Sequence, residues 1–298
     1  MVSNIALLVG ISVAWAAGYI FIRDADTALP PITSTAVMAV VASVVILMAA
    51  LVLRRPLLQP MRRVWVPLTM AFSAVALPFL ATTEAERSID ASLAAVLGTT
   101  VPIATLLLTT FVTRQTPFSP VKLLGVLIAV AGLVVFAGGR NLVSDDVEAM
   151  GILVMIGGSV VFAVNGIFVS YQARDIDPYA LALWTMVFAA IVLTGVALAV
   201  EGVPPMPTAA VMGSLVGEGA MGMGLAYLGY YALVARAGAT FGSLYAFLVP
   251  PFGVIAAALV FGQPLTLTHL AGLAIVLAGL ALIVRPEKAA TPPPHHPR

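Results

Sequence analysis

Residues 4–22 read NIALLVGISVAWAAGYIFI, and residues 151–169 read GILVMIGGSVVFAVNGIFV. Each stretch is nineteen residues long and contains no charged side chain. An α-helix rises about 1.5 Å per residue, so about 20 apolar residues cross a hydrocarbon layer about 30 Å thick. The two stretches therefore predict two transmembrane helices.

The composition extends this prediction to the whole chain. Its 298 residues are 61% hydrophobic and 9% charged, with a mean hydropathy of +1.09, which does not fit a soluble domain. Membrane strands alternate in polarity over about 10 residues, whereas these segments are continuously apolar, so the prediction is an all-α protein. Ten spans are predicted, at residues 4–22, 32–53, 64–83, 91–112, 123–139, 150–170, 178–200, 210–234, 241–261 and 268–284.

The chain also resembles itself at a nearly fixed offset. A shift of 147 residues aligns the first predicted helix with the sixth and the fifth with the tenth, and a shift of 148 aligns the third with the eighth and the fourth with the ninth. The matched pairs include Gly10 with Gly157, Phe21 with Phe168, Pro31 with Pro178, Pro102 with Pro250, Gly125 with Gly272 and Gly132 with Gly279. This register predicts a duplication.

An odd number of spans in each copy would turn the second copy upside down. We therefore expect a first five-helix repeat at 1–148, an inverted five-helix repeat at 149–285, and a disordered cytoplasmic tail at 286–298. Inverted repeats give two conformations of similar energy that open to opposite sides of the membrane. The pattern is typical of a transporter that works by alternating access.

The distribution of basic residues predicts the orientation. With the N-terminus in the cytoplasm, eleven of the fourteen Lys and Arg residues fall on the cytoplasmic side, and only Arg23, Arg87 and Arg140 fall outside. Both termini are therefore expected in the cytoplasm of a bacterial-type cell, with the chain crossing its inner membrane several times.

Several short motifs resemble a known family. They are residues 15–21 (WAAGYIF), Pro31 at the start of the second helix, and residues 262–266 (GQPLT) followed by Gly272 and Gly279. They are similar to the ten-helix EamA branch of the drug/metabolite transporter superfamily, over roughly residues 4–285. The resemblance implies amino-acid export through a cavity lined by the first, third, fourth, sixth, eighth and ninth helices. It does not cover two family features: a basic residue after Pro31 is absent, and the usual Gly-Glu reads Gly-Gln here.

Aromatic residues give the first candidate binding surface. Trp15 is the repeat equivalent of Phe162, and Phe79 is the equivalent of Tyr227, so these four rings should lie around the pseudo-two-fold axis. They could stack on an aromatic solute or hold a cation, or they could be ordinary core residues. Tyr245 is expected to face the same interior.

Two polar residues complete the predicted site. Asn165 lies inside the sixth predicted helix and needs a buried partner or a substrate. Glu218 is the only Asp, Glu, Lys or Arg within the ten predicted spans, where a charge is costly. It could couple transport to protons, pair with a substrate ammonium group, or be a hydrogen-bonded carboxyl in an outer vestibule. On an ideal helix Tyr227 points away from Glu218, unless the glycine-rich segment between them departs from regular geometry.

Three prolines are predicted to bend helices. Pro78, Pro102 and Pro250 lie inside predicted spans, where each removes a backbone hydrogen bond. Such bends suit a rocking motion, and static shaping of the bundle is the alternative. His269 is expected to cap or to line the start of the tenth helix rather than to bind a metal.

Other classes of function fit the sequence less well. No phosphate-binding glycine-rich loop is present, and no paired aspartates or His-rich motif suggest an intramembrane enzyme, so no catalytic residue, metal or cofactor is expected. The partners expected are a small-molecule substrate and lipid, without nucleic acid, and a monomer is compatible with this reading. The small number of interior charges favours a neutral, zwitterionic or weakly cationic substrate. Export of amino acids and related metabolites is the preferred function, and a multidrug, organic-cation or nucleobase-type exporter is the alternative.

Overall fold

The computed structural model describes residues 2–25, 29–85, 87–89, 93–94, 97–115, 117–136, 146–204, 206–262 and 265–284. This part of the chain contains ten long helices and no strand. They are α1 (Val2–Ala25), α2 (Pro31–Val52), α3 (Trp65–Ala85), α4 (Thr100–Val112), α5 (Pro120–Phe136), α6 (Asp146–Gln172), α7 (Pro178–Val200), α8 (Ala209–Gly242), α9 (Tyr245–Phe261) and α10 (Leu267–Ile283). The predicted tail at 286–298 and Gln263 lie outside the described residues.

The all-helical prediction is confirmed for the described residues, and each predicted span overlaps one of these helices. Five of them are long and apolar enough to cross a membrane: α2, α3, α6, α7 and α8. The apolar portions of the other five are shorter, at 10–17 residues. Ten complete spans therefore stay a prediction.

The starts of several helices follow from their sequences. Proline is favoured at the first helical position because its missing N–H needs no partner there, and α2 and α7 begin at the repeat-equivalent Pro31 and Pro178. At the start of α10, the Thr266 hydroxyl accepts from the His269 N–H, and the His269 ring accepts from the Thr266 N–H. His269 caps this helix, as predicted.

The helices of one half pack mainly on helices of the other half. In the first half α1 contacts α8 and α9, and in the second half its equivalent α6 contacts α3 and α4. In the same way, α2 contacts α8, and its equivalent α7 contacts α3, which is the equivalent of α8. Two pairs, α2 with α7 and α5 with α10, join repeat-equivalent helices directly. The arrangement fits two repeats related by a pseudo-two-fold axis.

The α5 and α10 helices approach so closely that their backbones touch. A Cβ atom on Gly279 would lie 2.5 Å from the Gly125 carbonyl oxygen, and one on Gly125 would lie 2.7 Å from the Gly279 carbonyl oxygen. Gly132 likewise lies against the Gly272 carbonyl oxygen, at 3.0 Å from a built Cβ. Because Gly125 lies against Gly279 and Gly132 lies against Gly272, the two helices run antiparallel, which is the relation that an inverted repeat requires.

Polar contacts connect the α2 and α7 helices at both ends of the pair. At the start of α2, the Glu201 carboxylate accepts hydrogen bonds from the N–H groups of Ile32 and Thr33, at 2.9 and 2.8 Å. A negative group is favoured there because the N–H groups at a helix start have no partner within the helix. The Glu201 carboxylate at the end of α7 therefore completes the hydrogen bonding of α2.

The opposite end of this pair carries a second set of polar contacts. The Gln59 amide pairs with the backbone on both sides of residue 176, donating to the Asp175 carbonyl and accepting from the Asp177 N–H. Arg63 forms an ion pair with Asp175 and lowers the pKa of that carboxyl, mainly through their hydrogen bond. Arg55 reaches Asp177 at 3.5 Å. These contacts connect the segment after α2 to the start of α7.

We predict that Gly279→Ala destabilises the protein, because the added methyl group would lie 2.6 Å from the Ala129 backbone nitrogen as well as against Gly125. Overpacking of this kind costs about 1–3 kcal/mol. The control is Gly195→Ala, since nothing lies within 4 Å of a Cβ built at that exposed glycine of α7. Thermal unfolding in lipid nanodiscs measures both variants. Equal unfolding temperatures would contradict the close α5 and α10 contact.

Candidate functional site

A cluster of aromatic rings lies where α1, α6, α8 and α9 meet. The Trp15 ring is at its centre, with ring centroids 6.5 Å from Phe162, 5.5 Å from Tyr227, 5.8 Å from Tyr230 and 4.0 Å from Tyr245. The planes of Trp15 and Tyr245 are inclined by 33°, close to stacking, whereas Phe162 and Tyr227 meet Trp15 edge-on. We name these residues, together with Tyr231, the ring cluster.

Two members of the ring cluster were missed by the sequence analysis. Tyr230 and Tyr231 follow Tyr227 at three and four positions, a spacing that places side chains on one face of a helix. Their ring centroids lie 5.7 Å apart, and that of Tyr231 is 5.9 Å from Tyr227. The spacing was visible in the sequence and could have identified both residues.

The fourth predicted ring is not part of the cluster. Phe79, the repeat equivalent of Tyr227, is half-buried at the edge of the core, and no ring contact involves it among the described residues. The symmetric quartet expected from the sequence is therefore incomplete, because Trp15, Phe162 and Tyr227 meet and Phe79 does not.

The Tyr227 hydroxyl joins α8 to α3. It donates a hydrogen bond to the Ala74 carbonyl oxygen at 2.6 Å. Ala74 lies in a π-helical part of α3, four residues before Pro78, which has no N–H to donate. A side chain of one repeat is thus bonded to the backbone of the other repeat at an irregular part of α3.

Both α3 and α8 contain a π-helical segment, with hydrogen bonds five residues apart. These segments are Ala71–Ala76 and Gly219–Leu225, and they start at positions that are equivalent under the 148-residue shift. Such segments are rare and frequent at functional sites. The glycine-rich part of α8 thus departs from regular geometry, which was the condition for Glu218 and Tyr227 to share one region.

Glu218 is buried at the start of the π-helical segment of α8, with only 4% of its surface exposed. Its carboxylate lies directly over Gly222, where a Cβ atom would be 2.3 Å from Oε1. Gly222 is therefore required for the observed position of the carboxylate.

A polar pair borders the ring cluster on α3 and α6. The Ser73 hydroxyl lies 2.9 Å from the Thr69 carbonyl oxygen and 3.1 Å from Asn165 Oδ1. Asn165 is completely buried, and its Nδ2 has no hydrogen-bond partner among the described residues. This arrangement lowers the stability of the folded protein, because an unsatisfied buried polar group is destabilising by about 1–3 kcal/mol.

The remaining predicted prolines interrupt their helices at equivalent places. In a regular helix the Gly98 carbonyl would accept from the N–H of residue 102, which Pro102 lacks. This carbonyl accepts from the Val101 N–H instead, and the chain turns at residues 98–99 just before α4. Pro250 lies inside α9, where the Ala246 carbonyl loses its helical donor.

Comparison with known proteins identifies the family. The sequence pattern described as "EamA-like transporter family" matches residues 2–138 and again residues 149–285. The chain belongs to this family. The fold is shared with a solved structure whose description reads "Crystal structure of protein". The two structures superpose with a TM-score of 0.80 at 16% sequence identity, over 95% of this chain and 97% of the other. No curated protein sequence matches the chain.

We predict that Tyr227→Phe destabilises this EamA-like transporter by about 1–3 kcal/mol, because the buried Ala74 carbonyl would lose the hydrogen bond from the Tyr227 hydroxyl. The matched control is Tyr171→Phe, since the Tyr171 hydroxyl also reaches a backbone carbonyl, that of Thr113, but is exposed so that water can replace it. Thermal unfolding of both variants in the same lipid measures the effect. A Tyr227→Phe protein as stable as the control would exclude this role of the hydroxyl.

Proposed function

We propose that this EamA-like transporter exports amino acids and related small metabolites across a bacterial-type inner membrane by alternating access. The supporting observation is that two repeat-equivalent pairs of rings are packed differently. Phe162 and Tyr227 are buried and in contact, with centroids 6.1 Å apart. Their equivalents Trp15 and Phe79 are both half-buried and make no ring contact with each other.

This difference has a direct mechanistic interpretation. In an inverted repeat, one pair lies toward each side of the membrane, and exchanging their two packing states reverses the side that is open. The half-buried pair marks the side from which the interior is reached in this conformation, and the buried pair marks the closed side. In alternating access, the buried pair of Phe162 and Tyr227 would open while the half-buried pair of Trp15 and Phe79 closes.

Further aromatic residues strengthen the closed side. Tyr230, Tyr231 and Tyr245 extend the ring cluster beyond Phe162 and Tyr227. The positions equivalent to these three are Thr82, Thr83 and Leu97. Under the proposed topology the tyrosines lie toward the cytoplasm, so we propose that the cytoplasmic side is closed in this conformation.

The substrate class follows from the surroundings of the cluster. Aromatic faces suit apolar or aromatic side chains, and Asn165 offers a neutral polar contact. Glu218 is the only Asp, Glu, Lys or Arg in the buried set of described residues. A pocket for a phosphorylated solute would need basic groups, so these surroundings favour a zwitterion such as an amino acid.

We predict that Trp15→Ala changes the ranking of transported amino acids, because stacking on a ring contributes about 0.5–1.5 kcal/mol and differs between solutes. Wild-type and variant proteins in proteoliposomes are compared for the ratio of aromatic to small polar amino-acid flux, normalised to folded protein. The control is Trp65→Ala, since Trp65 is exposed at the start of α3 and contacts only Phe168 among the described rings. An unchanged ratio would remove the ring cluster from the binding site. Transport of organic cations alone would favour the alternative exporter class.

We also predict that Glu218→Gln abolishes substrate accumulation driven by a pH gradient and preserves substrate counterflow, as expected if the buried carboxyl carries the proton. Counterflow needs no net proton movement, whereas accumulation does. Glu84→Gln is the control, because Glu84 is exposed and pairs with Arg87 at the end of α3. Undiminished pH-driven accumulation would reject proton coupling through Glu218, and equal loss of both activities would indicate a structural or binding role.

A further inference from the structure

Three hydrogen-bonded side chains beside the ring cluster have no hydrogen-bonding equivalent in the other repeat. They are Ser73, Asn165 and Tyr227, and their repeat equivalents are Met221, Gly18 and Phe79. The repeat therefore relates the positions of these side chains but not their chemistry. A solute bound between the two repeats would meet these three polar groups at one end only.

The hydrogens available in this polar group can be counted. Tyr227 uses its only hydroxyl proton on Ala74, and Ser73 has one proton for its two acceptors, Thr69 and Asn165. The Asn165 amide carries two hydrogens on Nδ2, and neither has an acceptor among the described residues. The unused donors of this polar group are therefore the N–H groups of the Asn165 amide, and the Asn165 oxygen accepts from the Ser73 hydroxyl.

A structural role does not account for these free donors. Gly18, at the equivalent place on α1, shows that the fold does not need an amide there. A buried amide with unused hydrogens lowers stability unless something else accepts them. The two N–H groups of the amide point in different directions, and each can donate to one acceptor oxygen. In an amino acid the ammonium group only donates hydrogen bonds, whereas the carboxylate only accepts them, so the carboxylate is the part that suits these donors.

We propose that Asn165, held by Ser73, binds the carboxylate of a zwitterionic solute whose apolar side chain lies against Trp15 and the ring cluster. This inference rests on the proposed function and specifies how the substrate is oriented. Ser73 acts as a positioning residue, since its hydroxyl fixes the amide and leaves Nδ2 directed at the solute. The carboxylate, rather than the ammonium group, is then the part of the substrate that Asn165 recognises.

Leucine and two analogues test the orientation directly. Isopentylamine is leucine without its carboxylate, and 4-methylpentanoate is leucine without its ammonium group. Binding is measured by Trp15 fluorescence in the full-length protein in nanodiscs, after Trp65→Phe and Trp184→Phe leave Trp15 as the only tryptophan. None of the three ligands absorbs where tryptophan does.

We predict that Asn165→Asp weakens binding of leucine and 4-methylpentanoate at least tenfold, because a carboxylate would face a carboxylate, and leaves isopentylamine binding unchanged or tighter. Asn165→Ala should weaken the same two ligands. Ser170→Ala, on the same helix and outside the ring cluster, should change none of the three affinities. Flux of leucine into proteoliposomes is recorded for each variant.

Each other outcome has a definite meaning. Equal weakening of all three ligands would assign Asn165 to the structure of the cluster and overturn the proposal, as would affinities that do not change. Tighter binding of the amine together with normal leucine binding would show that Asn165 recognises the ammonium group, and would also overturn it. If the wild-type protein moves no amino acid, the proposed function fails, while the 4-methylpentanoate titration still decides whether Asn165 binds a carboxylate.

Discussion

Hydrocarbon offers no hydrogen-bond partners, so each helix of this chain has to satisfy its own backbone. Most of the described helices do so with regular bonds. Three of the helices, α3, α4 and α8, contain π-helical segments, and those of α3 and α8 start at repeat-equivalent positions. In α3 the Ala74 carbonyl accepts a hydrogen bond from the Tyr227 hydroxyl of the other repeat. The ring cluster lies beside this irregular part of α3.

The repeat explains the framework, and its imperfections indicate the function. Equivalent glycines bring α5 and α10 together in antiparallel fashion, and the contacts of α1 are reproduced by those of α6. Side chains at the centre break the symmetry: Tyr227 corresponds to Phe79, and Asn165 to Gly18. In the proposed mechanism, duplication supplies two related conformations, and the divergence of a few interior residues supplies different contacts for the two ends of a substrate.

Much of the framework could be predicted from the sequence, because continuous apolar segments and a constant offset depend only on residue order. The offset also brought Trp15, Phe162 and Tyr227 close to one axis. The packing of Phe79 could not be predicted in this way, because residues that are equivalent in the repeat can lie in different environments. The π-helical segments were not predictable either, because the small residues that form them also occur in regular transmembrane helices. Glu218 and Tyr227 could be related only after that geometry was known.

The exchange of partners between halves also affects how the chain is assembled during synthesis. The first helix to be made, α1, packs on α8 and α9, and the start of α2 is capped by Glu201, 168 residues after Thr33. The amino-terminal helices must therefore wait in the bilayer until the carboxy-terminal half has been inserted. A chain interrupted after residue 148 would expose to lipid or to other proteins the surfaces that α8 and α9 normally cover, which makes such fragments natural targets for membrane quality control.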